Sequence, residues 1–274
     1  MGRIQEIAFL VFGQLAVGGI FWMSLPSLET VGLGFFRTNG IVFLLCVLLG
    51  LSLFPIPLSE WGMAMFQLNW TGMIFLFFSL FVLTLFVYNL RLWFRNPHHS
   101  RILLLSASLL GALAILASVG YYLPQSSGLV RVLSLSAQFL SSSLLMGAGV
   151  LGMLLGHSYL TRPSLSIVPL RNLAKLFMVF VFLEAGLTLI SLMILVPPQR
   201  LKNALLMNTI EGLYLWIRLL IGIGGPVILA PMILETVKER ATMSATGLLY
   251  VAMMMVIIGA IFSRFFLLVD ATFV

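Results

Sequence analysis

Long apolar runs alternate with short polar breaks along the whole chain. The runs fall at about 7–24, 39–55, 70–93, 103–122, 132–156, 171–195, 207–232 and 245–268. Each is near the ~20 residues that an α-helix needs to cross ~30 Å of hydrocarbon. The pattern predicts an all-α, polytopic membrane protein with about eight transmembrane helices, in a single integral membrane domain over 1–274. A polar break at 122–131 (YLPQSSGLVR) suggests two halves, 1–126 and 127–274, each a four-helix bundle. The first run has little positive charge before it and no small-residue cleavage pattern after it, so it reads as a retained helix.

Composition fits this class. Hydrophobic residues make up 61% of the chain and charged residues only 8%, against about a quarter charged in soluble domains. The formal charge of +7 would suggest a nucleic-acid partner in a soluble protein. Here the basic residues sit mostly in the connections, where membrane orientation accounts for them, so lipid and no nucleic acid is the expectation. Arg37, Arg91, Arg95, Arg101, Arg162, Arg171, Lys175, Lys238 and Arg240 fall on one side of an eight-span alternation. Arg3, Arg131, Arg200 and Lys202 fall on the other. Positive residues favour the cytoplasmic side. The reading is therefore a multi-pass protein of the cell inner (cytoplasmic) membrane with both termini outward. Glu60, Trp61 and Trp70 then mark the outer interface.

The candidate chemistry is the charge placed inside apolar runs, which lipid tolerates only with a partner or a cavity. Glu184 lies near the centre of the sixth run. Glu211 and Arg218 lie in the seventh, two helical turns apart, with Tyr214 between them on about the same face. Arg264 lies in the eighth, which also carries Tyr250. Gly222, Gly224, Gly225, Pro226 and Pro231 predict a kinked or locally opened seventh helix, a common setting for ligand sites. These groups outline a polar track between the last three helices. As a proton or redox site its catalytic candidates are Glu184, Glu211, Arg218 and Arg264. As structure alone they are buried ion pairs joining helices.

The fifth run adds Gln138 and serines 134, 136, 141, 142 and 143. Gly147, Gly149, Gly152 and Gly156 follow and form a smooth strip for a close neighbour or a ligand. The first run carries Gln14 among Gly13, Gly18 and Gly19, which reads as tight packing or a ligand contact. His157 ends the fifth run, before a connection restricted by Pro163 and Pro169. A bis-histidine haem needs two opposed histidines. The others, His98 and His99, are adjacent in a loop, so no haem is predicted. With a single cysteine, Cys46, and few ligands, neither a thiolate cluster nor another metal site is predicted. Asp-rich pairs for Mg²⁺–pyrophosphate chemistry are also missing, which argues against prenyl transfer.

Eight spans, short loops and ionisable residues between helices resemble the membrane subunits of the NrfD and polysulfide-reductase family. The stretch Ser244–Arg264 (SATGLLYVAMMMVIIGAIFSR) is similar to the last helix of such anchors, with its late arginine. The resemblance implies a haem-free integral subunit of an oxidoreductase complex. Such a subunit binds quinone or quinol, passes electrons to an iron–sulfur or cytochrome partner, and in some cases moves protons. Donors for a quinone headgroup would come from His157, Tyr214, Tyr250 and Gln138. Two other readings stay open: a structural or assembly subunit of such a complex without its own site, and a proton-coupled transporter.

Overall fold

The computed structural model describes residues 2–26, 28–55, 69–94, 100–124, 127–162 and 165–269. Glu60, Trp61, Arg95, His98, His99 and Pro163 lie outside the described residues. The protein is all-α and polytopic, and eight of the described helices are long and apolar enough to cross a membrane. They are α1 (Gly2–Met23), α2 (Leu33–Ser52), α3 (Trp70–Trp93), α4 (Ser100–Tyr122), α5 (Leu129–Thr161), α6 (Val168–Leu195), α7 (Ile210–Lys238) and α8 (Thr242–Val269). Two short helices, Leu28–Val31 and Pro198–Leu205, sit in connections. Several helices begin a few residues before the apolar runs do. Hydropathy marks the lipid-facing length, whereas the backbone ladder continues through polar residues such as Arg3, Glu6 and Arg131 into the headgroup layer.

The central element is α5. At 33 residues it is about 50 Å long, well beyond the hydrocarbon thickness, and it packs against α1, α4, α6 and α8. Its small residues make this crowding feasible. A Cβ on Gly147 would overlap the Gly18 backbone, and one on Gly18 would overlap the Ser143 carbonyl. Without a hydrophobic force between helices in lipid, such close backbone approach and interhelical hydrogen bonds carry the association. Here Ser143 Oγ donates to the Gln14 carbonyl (2.6 Å) and Trp22 Nε1 donates to the Leu144 carbonyl (2.6 Å). The rest of the glycine strip on α5 is likewise filled by protein. Gly156 faces Thr246 and Gly152 faces Leu249, both from α8.

Around this spine, α1, α2, α3 and α4 contact one another, and α6, α7 and α8 close the other side. The first group is bound to the second through α1, which touches both α5 and α8. Arg37, at the start of α2, donates to the carbonyls of Leu92 and Trp93 at the end of α3. It satisfies orphan acceptors where the helix dipole is negative.

The seventh span does not break. It runs as α-helix over Ile210–Ile217, as π-helix over Arg218–Gly224 and again as α-helix over Gly225–Lys238. Pro226 has no N–H to give the Gly222 carbonyl four residues back, so the regular ladder is interrupted just there. A wider i→i+5 turn absorbs the mismatch without unwinding. At the same level a Cβ on Gly222 would overlap Gly259, so the widened turn is pressed backbone to backbone against α8.

Candidate functional site

Two polar stripes with helical spacing face each other across the α5–α6 interface. On α5 they are Ser134, Gln138 and Ser141; on α6, Glu184, Thr188 and Ser191. Residues at i, i+4 and i+7 share one face of a helix. Because the helices are antiparallel, the stripes pair end to end. Ser134 Oγ meets Ser191 Oγ at 2.6 Å, and Gln138 Nε2 donates to Ser191 Oγ at 2.6 Å. Ser141 Oγ donates to Glu184 Oε2 at 2.5 Å.

Arg218 enters this seam from the first residue of the π-turn. Its Nη2 donates to Gln138 Oε1 (3.0 Å) and to Thr188 Oγ1 (3.3 Å). The residue is 3% exposed, and Glu184 is 8% exposed. Both line a cavity of about 20 Å³ that Gly222, Ile223, Val256 and Gly259 complete. That is room for about one water molecule, and far below the several hundred Å³ of a cofactor pocket.

Arg264 forms a second node on a different face of α5. Its Nε and Nη2 both donate to Gln14 Oε1 (3.1 and 2.8 Å), and Nη1 donates to Ser263 Oγ (3.1 Å). Its guanidinium lies 4.1 Å from the centre of the Phe139 ring, a cation–π contact in a desolvated setting. The side chain is fully buried. Gln138 and Phe139 are consecutive on α5, so one turn of that helix holds both arginines on different faces. Glu184, Arg218 and Arg264 are the buried charged side chains among the described residues. If all three groups are ionised, the cluster carries one net positive charge. Within it Gln14 turns its Nε2 towards no hydrogen-bond partner among the described residues.

The structure thus gathers Glu184, Arg218, Arg264 and Gln138. It does not gather the other candidates. Glu211 is half-buried at the start of α7, with no hydrogen bond or ion pair among the described residues. It lies about 10 Å along the helix from Arg218. Tyr214 packs its ring against Phe262 and Phe265. Tyr250 is 43% exposed, fourteen residues and about 21 Å along α8 from Arg264. His157 is exposed near the end of α5, about 24 Å along that helix from Ser141. No group of three or more His, Cys, Asp or Glu residues that could hold a metal occurs among the described residues.

Thr188, Ser191, Phe139 and Ser263 belong to the site and were not among the sequence candidates. The first two had a visible signal, since they continue the face of Glu184 at four and seven residues. Phe139 had none, because one phenylalanine among 22 does not announce which of them lies under a guanidinium.

No protein-family model, curated protein or solved structure matches this chain.

Proposed function

We propose that this polytopic membrane protein is a proton-handling subunit of a haem-free, quinone-linked electron-transfer complex, with Glu184 as the group that takes up and releases the proton. The observation that carries the reading is the placement of that carboxylate. It is buried within the spanning bundle, meets a serine hydroxyl and shares a water-sized cavity with Arg218 beside a π-helical turn. Ionisable groups at this depth are costly and are a functional-site hypothesis by default. π-turns occur often at functional sites.

The chemistry is coherent. Oxidation of a quinol releases two protons and two electrons, so such a complex needs both a proton acceptor and an electron acceptor. Glu184 accepts a proton when ionised, Arg218 borders the same cavity, and that cavity has room for one water to carry the proton. The electrons would go to an iron–sulfur or cytochrome partner, as the resemblance to the NrfD and polysulfide-reductase subunits implies. The cavity beside Glu184 is too small for a quinone ring, so the quinone would exchange its proton through the intervening water and not by contact with the carboxylate.

The test is Glu184→Gln in the complex purified with its partners and reconstituted in liposomes. Removal of a general acid–base group lowers turnover by ~10²–10⁴-fold. The expected result is a loss of quinol-driven proton movement of at least about a hundredfold, with the complex still assembled. Wild-type rates of both proton movement and electron transfer in the Gln variant would sink the proposal.

Arg264 supports a different role. All three of its nitrogens donate within the protein, and it ties α1 to α8. We assign it to holding the bundle together.

A further inference from the structure

A second cavity lies away from the charged cluster, and its walls have the character of a lipid site. It has a volume of about 580 Å³, inside the ~300–1,000 Å³ range of ligand pockets. It opens where α6 begins, between α5 and the segment joining α1 to α2. Phe35, Leu151, Leu155, Leu173 and Leu176 make its walls mostly apolar.

Its mouth is cationic. Lys175 and Asn172 line it and are exposed. Arg171, one turn before Lys175, has its Nε buried with no hydrogen-bond partner among the described residues. Arg162 reaches the backbone of Gly32 next to the cavity: a Cβ on that glycine would lie 3.5 Å from the Arg162 guanidinium. The first turn of α6, with Val168 and Pro169, also lines the mouth and has no acidic residue. It presents the positive end of the helix dipole. None of the described side chains that line the cavity is acidic. An apolar slot with Lys175 at its mouth, Arg171 one turn away and a helix N-terminus beside it is complementary to an amphiphile with an anionic head.

We propose that this cavity binds one anionic phospholipid, its acyl chain between α5 and α6 and its phosphate against Lys175 and the start of α6. A neutral quinone ring gains nothing from the charge of Lys175 at the mouth. The site is independent of the proton reading, since Leu173 lies about 16 Å along α6 from Glu184.

The experiment is native mass spectrometry of the detergent-solubilised protein with phosphatidylglycerol and phosphatidylcholine of matched acyl chains. The expected result is retention of one phosphatidylglycerol with about fivefold preference, the scale set by a basic residue at a membrane surface. Lys175→Glu should abolish the preference. Leu176→Trp, which fills the slot from a half-buried position, should remove the bound lipid of either kind. Thermal unfolding of both variants checks that the bundle is intact. Equal retention of the two lipids, a preference untouched by Lys175→Glu, or a neutral quinone mass in place of the lipid would each overturn the proposal.

Discussion

Two arginines are buried in this bundle, and their surroundings differ. Arg264 sits in regular α-helix, encased, with a glutamine oxygen taking two of its N–H groups, a serine taking another, and a phenylalanine ring beneath it. Arg218 opens a π-turn and borders a cavity in which a water molecule fits. Burying a charge is unfavourable in both places. At Arg264 the cost is offset by fixed protein groups that leave no room for change. At Arg218 there is space and an irregular ladder, the conditions under which a charge can change partners. The comparison separates a charge held on every side by protein from one that has space beside it.

The sharpest way to break this comparison is to replace each arginine by methionine, which keeps most of the volume. Arg264→Met leaves Gln14 Oε1 buried without a donor and removes the tie between α1 and α8. A buried group orphaned in this way costs ~1–3 kcal/mol, and breaking a buried charged contact up to ~5. We expect a loss of about 3 kcal/mol, read as a lower unfolding temperature in detergent and poor recovery of folded protein. Arg218→Met should cost about half as much, because the neighbouring cavity has room for a water that can hydrate Glu184, which borders it. Equal losses, or a larger loss at Arg218, would erase the distinction.

A smaller effect tests whether the two nodes depend on close backbone contact. Gly18→Ala forces α1 away from the Ser143 carbonyl, and Gly222→Ala forces α7 away from Gly259. Overpacking of this kind costs about 1–3 kcal/mol. Gly18→Ala should loosen the Arg264 node, which α1 completes through Gln14. Gly222→Ala should disturb the cavity at Arg218 and leave the Arg264 node in place. Cysteine cross-linking between α1 and α8, on a background without Cys46, reports the first and should not respond to the second.

The class and the number of spans were legible from hydropathy alone, because apolar runs of ~20 residues with so few charges are the mark of membrane-spanning helices. Glu184, Arg218 and Arg264 were legible for a related reason: a charge inside such a run has to be met by something. What met them was harder to see. Serines, a threonine and glutamines are among their partners, and these residue types are common enough in membrane helices to carry little signal singly. Their spacing did carry signal, since Ser134, Gln138 and Ser141 repeat the interval of Glu184, Thr188 and Ser191. Glu211 shows the limit of reading contact from helical phase. It shares a helical face with Arg218 in a regular α-helix, but a shared face two turns apart is not contact, and the π-turn starts at Arg218 itself. The glycine and proline residues after it signalled irregularity in α7, while the form it took depends on α8 pressing against Gly222.

The smallest expected effect on stability, and the one that bears most directly on the π-turn, comes from Pro226→Ala. Alanine restores an N–H that can donate to the Gly222 carbonyl, so the ladder no longer needs a wide turn at that point. The gain of a hydrogen bond, ~0.5–1.5 kcal/mol, is opposed by the greater freedom that alanine gives the unfolded chain, ~0.4–1 kcal/mol. The net change in stability should be within about 1 kcal/mol. Relaxation to regular α-helix removes the extra residue from the turn and rotates the helix N-terminal to it by about 100° relative to the rest. Arg218 would then turn away from Gln138 and Thr188. Proton movement should fall towards the level of Glu184→Gln while the unfolding temperature barely moves. A cysteine at the exposed Leu220, on the Cys46-free background, should change its labelling rate as the turn rewinds. If labelling changes and proton movement does not, the π-turn is a packing solution and Arg218 joins Arg264 as a structural residue.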